Sequence, residues 1–245
     1  MRRIPACVVL LVLQLPLARA FGPADYVYMP NVTYGEREID FKAGSWKRRD
    51  EDRLRAWSIG YGYGITQHWG TELYLKYESS AGEHLSKFDA WEWENKFQLT
   101  EQGEYPVDAG LILEIERPRD RAEGYEIKLG PLFQMDIGKL QLNGNFLFQR
   151  SIRAATPQET QFGYQWQAKY RWKPEFEFGV QGFGEVGAWK HWDPAEERTH
   201  RVGPAVSGKL PLGGSQAIRY NAAWLIGATP GAPRNTFRTQ LEYEF

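Results

Sequence analysis

Apolar and polar residues alternate along most of this chain with a period of two, the repeat of a strand that shows one face to oil and the other to water. The last ten residues show it plainly: Phe237, Thr239, Leu241, Tyr243 and Phe245 share one parity, and Thr236, Arg238, Gln240, Glu242 and Glu244 share the other. The same design recurs upstream. The first strand is expected over Val32 to Ala43, with Glu38, Asp40 and Lys42 opposite Ile39 and Phe41; Arg37 falls on the apolar parity and must reach an interface. The second runs over Leu54 to Ile65, with Trp57, Ile59, Tyr61 and Tyr63 opposite a stripe of Gly60, Gly62 and Gly64, which barrel curvature would explain better than room for the N-terminal lead. The eighth sets Phe162, Tyr164, Trp166, Ala168, Tyr170 and Trp172 against Gln161, Gln165, Gln167, Lys169 and Arg171. Twelve such stretches fill the chain from residue 32 onward, preceded by an aromatic lead, Phe21 to Pro30, expected in the periplasm or in a barrel mouth.

The connections support the same count. Loops after odd strands are long and charged, as at Gly44 to Arg53 and Arg117 to Gly124, whereas those after even strands include tight turns at Thr66 to Gly70 and Lys173-Pro174. A soluble aromatic-rich sandwich has no reason to alternate its loops in this way. The terminal Phe245, with Tyr243 and Leu241 at alternate positions before it, resembles the C-terminal assembly signal of Gram-negative outer-membrane β-barrels. That resemblance implies an all-β, membrane-spanning, antiparallel up-and-down barrel of about twelve strands, an even number as in bacterial single-chain barrels. It also implies contact with outer-membrane lipid and lipopolysaccharide, delivery by the barrel assembly machinery, and both termini in the periplasm.

Composition sharpens the location. Residues 1–20 carry Arg2-Arg3, an apolar run from Ile4 to Leu17 and a small-x-small site at Ala18-Arg19-Ala20, the order of a secretory signal peptide too short to span a bilayer. The mature domain is then 21–245. The lone cysteine, Cys7, lies in the signal, which leaves no thiol or disulfide beyond it. Aromatic residues make up 15% of the chain, with ten Trp and thirteen Tyr, which suits the two interfacial girdles of a membrane barrel. A net charge of −1 gives no basic field for nucleic acid.

Candidate chemistry sits on the polar parity. Glu72, Glu92, Glu94, Glu114, Glu116 and Glu126 fall on the third to sixth strands, and Lys169, Arg171, Arg201, Arg219 and Arg238 on the eighth and the tenth to twelfth. Opposed acidic and basic walls would line a narrow, water-filled lumen that admits a small polar solute. The alternative is a structural or adhesion barrel whose charges pair across a plugged lumen. An enzyme is a third class. Outer-membrane phospholipases carry His-x-Ser-Asn-Gly, and His84-Leu85-Ser86 has the first spacing, but Lys87-Phe88 replaces Asn-Gly. Nucleoside channels and oligogalacturonate porins share the strand number alone and lend no substrate. His191 and His200, with Asp193, Glu196 or Glu197, match no metal-ligand spacing, and nothing calls for a cofactor.

Overall fold

The computed structural model describes residues 21–48, 52–83 and 85–245. The segment assigned to the signal peptide, and His84 of the phospholipase-like triplet, lie outside them.

The described chain is one sheet closed on itself. Its strands are β1 (Arg37–Lys47), β2 (Arg53–Gly64), β3 (Trp69–Ser79), β4 (Lys87–Gln98), β5 (Asp108–Pro118), β6 (Tyr125–Ile137), β7 (Leu140–Ile152), β8 (Gln161–Lys173) and β9 (Phe176–Ala188). The two-residue β10 (His191–Trp192) merely extends the hairpin of β9, and β11 (Thr199–Gly213), β12 (Gln216–Gly227) and β13 (Asn235–Glu244) complete the ring. Setting β10 aside, the wall has the expected twelve strands, each antiparallel to its neighbours in sequence, and β13 returns to β1 from Glu38↔Glu244 to Lys47↔Asn235. Closure leaves the wall no free edge, so its ladders pair strand to strand around the ring, with register shifts at Lys76/Tyr77, Phe162/Gly163, Tyr170/Lys173 and Pro211/Gly213.

The alternation read from the sequence sets the two faces. Leu73, Trp93, Trp224 and Phe237 stand exposed on the outside, while Tyr74, Glu94, Leu225 and Arg238 are buried within. An apolar belt of this extent cannot rest in water. Aromatic pairs mark both of its rims. Trp57 stacks on Tyr77 at 4.2 Å and Phe148 meets Trp189 at 4.9 Å toward the longer loops. Trp69 lies over Phe97, and Tyr243 over Phe245, toward the shorter turns. At that second end the strand connections 138–139, 174–175 and 214–215 are two-residue turns. The β2–β3 turn, 65–68, has four residues, and 99–107 is a longer ordered loop tied by Gly103 N–H donating to Asp108 Oδ1 at 2.8 Å.

Two expectations need correction. The first strand is Arg37–Lys47, not Val32 to Ala43, because the chain turns at Tyr34-Gly35, where Gly35 takes φ 76°. Such a left-handed residue ends any extended run and favours glycine. Residues 21–30 therefore do not hang in the periplasm or sit in the mouth. They climb inside the barrel toward the loop end, where Phe21 packs edge-on against Phe183 at 6.0 Å. Arg37, where the wall starts, does lie beside the other terminus: Phe245 N–H donates to its carbonyl at 2.9 Å.

One glycine of the β2 stripe, Gly64, faces the same lead, as does Gly44 of β1. A Cβ on Gly64 would lie 1.9 Å from the Thr33 carbonyl oxygen, and one on Gly44 2.0 Å from that of Pro23. Gly60 instead makes room for the Tyr74 ring. Close approach, rather than curvature, requires these three residues.

Candidate functional site

The lumen is divided by the lead. A small apolar cluster surrounds its upper half: Phe21, Val27 and Tyr28 meet Ile112, Leu132 and Leu147 of β5–β7, and Phe183, Ala205, Ala223 and Leu225 of β9, β11 and β12. These wall residues break the polar parity of their strands. They do so because they cover the lead, which no reading of the wall alone would anticipate.

Polar contacts hold the rest. Tyr26 Oη donates to Glu94 at 2.9 and 3.1 Å, and its ring covers the Lys42 ammonium at 3.8 Å, with the Tyr74 ring on the other side at 3.7 Å. Lys42 also pairs with Asp40 at 3.5 Å. The Tyr28 N–H donates to Gln165 Oε1 at 3.3 Å, and its carbonyl accepts from Asn145 Nδ2 at 3.0 Å. Farther down, Val32 N–H donates to Gln98 Oε1 at 2.8 Å. Arg238 reaches the Asp25 carbonyl at 3.0 Å and Gln181 Oε1 at 2.8 Å. From Gln181 a row of neutral amides continues around the wall through Gln167 (2.7 Å), Asn143 (3.1 Å) and Gln134 (3.2 Å). These amides are the site residues that charge-based reading passed over; their concentration on the inner parity of β6–β9 was the available signal.

Cavities remain on either side. The larger, about 500 Å³, opens toward the short turns and is lined by Glu72, Glu94, Lys169, Arg171, Arg219 and Arg238 among others. The smaller, about 190 Å³, lies toward the long loops against Glu92, Glu116 and Glu126. Tyr26 borders both. Glu114 and Arg201 are buried in the wall, Arg201 over the Trp46 ring at 4.7 Å and the Phe183 ring at 5.5 Å. All eleven charged residues singled out from the sequence thus point inward, divided between two cavities and the buried wall.

The field differs from two bare opposed walls. Lys76 sits between Glu92, at 3.0 Å, and Glu116; Lys128 pairs with Glu114 at 2.7 Å; and Lys96 faces Glu72 at 3.9 Å. Across the lumen Lys169 holds Glu177 at 2.7 Å, Arg171 holds Asp136 at 3.0 Å, and Arg219 holds Glu242, at 3.4 Å, and Glu244. Charges pair mostly within each wall, so much of the transverse field is cancelled locally. Among the described residues, Glu92, Glu94 and Glu114 are the one acidic group compact enough for a cation, with ligand atoms within 4.8 Å of one another. Lys76, Tyr26 and Lys128 already occupy those carboxylates. His191 and His200 form no such group; His200 Nδ1 instead shares a 2.9 Å hydrogen bond with Tyr164 Oη.

No family model matches the chain, and no curated protein matches it significantly. Solved structures do. The NanC porin aligns with TM-score 0.54 at 9% identity over 84% of this chain and 98% of its own. The KdgM porin gives 0.55 at 8% identity over 85% and 99%. An outer-membrane channel from Pseudomonas putida F1 gives 0.54 at 13% identity over 91% and 98%. At these identities the likeness concerns the backbone, and it agrees with the closed ring, its greasy exterior and its polar lumen: the chain has the fold of the outer-membrane porin barrels.

Proposed function

We propose that this protein is an outer-membrane channel that passes small hydrophilic solutes passively, and that it is not an enzyme. The observation that carries the reading is the pair of polar cavities on opposite sides of the lead, within a wall whose exterior is shaped for lipid. A barrel filled to support a structure has no need of such volume at both ends. In this reading residues 1–20 are removed on export and the assembly machinery engages Leu241, Tyr243 and Phe245. The short turns, with Arg37 and Phe245, then face the periplasm, and the long loops meet lipopolysaccharide outside. The inward carboxylates, amides and bases replace part of a solute's hydration as it passes.

A second reading, a structural barrel, is favoured by the apolar cluster around Phe21, Val27 and Tyr28, which gives the lead a packed core of its own. Liposome swelling separates the two. Vesicles loaded with the purified barrel should swell in isotonic solutions of small sugars and progressively less as the sugar grows. Vesicles that never swell, even after the lead is displaced, would support the structural reading.

A further inference from the structure

Beside its side-chain contacts, the lead is held by four hydrogen bonds addressed to its main chain. Arg238 binds the Asp25 carbonyl, Gln165 the Tyr28 N–H, Asn145 the Tyr28 carbonyl and Gln98 the Val32 N–H. An amide side chain carries both a donor and an acceptor, and here two neighbouring amides take the N–H and the C=O of one residue. The wall also thins where the lead's main chain passes. Glycines 44, 64 and 110 place no side chain where the backbones of Pro23, Thr33 and Pro30 lie, and a Cβ there would stand 2.0, 1.9 and 2.9 Å from them. Grips on peptide groups and notches fitted to backbone depend little on which side chains the occupant carries.

We propose that the inner wall is a binding track for an extended polypeptide main chain, that residues 21–33 are its resident occupant, and that linear oligopeptides are the solute class that competes for it. This rests on the channel reading, since the competitor must reach the lumen from solution. A peptide long enough to cover the span from Asp25 to Val32 satisfies all four grips. In the lead, Val27 and Tyr28 sit in the apolar cluster with Ile112, Leu132 and Leu147, and Tyr26 reaches the acidic side at Glu94. The chain's own lead then sets the threshold that an incoming peptide must exceed.

The test uses the barrel lacking residues 21–33, refolded in detergent, with a fluorescently labelled synthetic peptide of that sequence followed by anisotropy. The peptide should bind. Methylating its Tyr28 and Val32 amide nitrogens, which removes the two donated hydrogen bonds and keeps every side chain, should weaken binding by roughly tenfold or more. An unrelated unlabelled oligopeptide of equal length should displace the label, and a linear glucose oligomer of equal length should not. If the shortened barrel fails to fold, the full chain with Phe21→Asp and Val27→Asp takes its place, its lead loosened from the apolar cluster and the wall of the track left unchanged. Equal binding of the methylated peptide, equal displacement by the glucose oligomer, or no binding to a folded barrel would each overturn the proposal. A barrel that binds peptide yet carries no current in a bilayer would overturn the channel reading instead; one that conducts and ignores peptide would overturn this inference alone.

Discussion

Substituting two of the glycines that face the lead should loosen it while leaving the wall intact. In the Gly44→Val, Gly64→Val double variant, the new Cβ atoms alone stand 2.0 and 1.9 Å from carbonyl oxygens of Pro23 and Thr33. Ordinary contact begins near 3.4 Å, so the lead must retreat by about 1.4 Å at one site and 1.5 Å at the other. The nearest atoms at both positions belong to the lead, and neither glycine has a positive φ, so the strand itself accepts a side chain. Overpacking of this kind costs about 1–3 kcal/mol per site. The two collisions fall at opposite ends of the lead and share no partner, so they should add to about 2–6 kcal/mol against the seated position. That matches or exceeds one charge-assisted hydrogen bond such as Arg238 to Asp25, worth about 1.5–3 kcal/mol. The assay is maleimide labelling at Val27→Cys in a Cys7→Ser background, because Val27 is buried when the lead is seated. Labelling should accelerate at least tenfold in the double variant, the factor that about 1.4 kcal/mol provides. Unchanged labelling at unchanged barrel stability would refute the reasoning, since the wall would then have absorbed both side chains.

Other substitutions test the faces and the ties. Trp93→Arg, on the outer face in the middle of β4, should cost about 2–4 kcal/mol in lipid, measured by urea unfolding from vesicles. Gln240→Arg, inside and next to Asp40, should cost well under that; equal costs would mean the faces are reversed. Lys42→Met removes an ammonium held between two rings, a contact worth about 2 kcal/mol when desolvated, and also leaves buried Asp40 without its cation; it should speed labelling at Val27→Cys and lower barrel stability together. Glu114→Gln should destabilise the barrel by about 3–5 kcal/mol in the same unfolding assay, because it strands Lys128 in a buried site. Deleting Phe245 removes the hydrogen bond to Arg37 and the ring stacked on Tyr243, and should lower the yield of heat-modifiable barrel in the membrane fraction.

Strand parity was legible because lipid and lumen impose opposite demands on neighbouring residues. Trp91 and Trp93 against Glu92 and Glu94, or Phe237 and Leu241 against Arg238 and Glu242, leave one arrangement. The number of strands followed from turns such as Lys173-Pro174. The lead was not legible, because Phe21 to Pro30 has no periodicity of its own and its contacts are distant: Tyr26 to Glu94, Tyr28 to Gln165, Asp25 to Arg238. A local pattern cannot report a partner that far along the chain. Traces of it were nonetheless present in Ile112, Leu132, Leu147, Phe183 and Leu225, apolar residues at inward positions, and in glycines 44 and 64. The candidate charges were read from parity, and their pairing was not. Lys76, Lys96 and Lys128 interleave with the carboxylates through cross-strand register, which alternation alone does not fix.

The central claim is that a polar path crosses the membrane through this barrel and that residues 21–33 obstruct it. Planar-bilayer recording of the purified barrel with and without those residues tests it most directly. Removing them joins the cavities of about 500 and 190 Å³ and should give a steady, ohmic conductance several times that of the full chain. A folded, lead-free barrel that remains electrically silent would contradict the account.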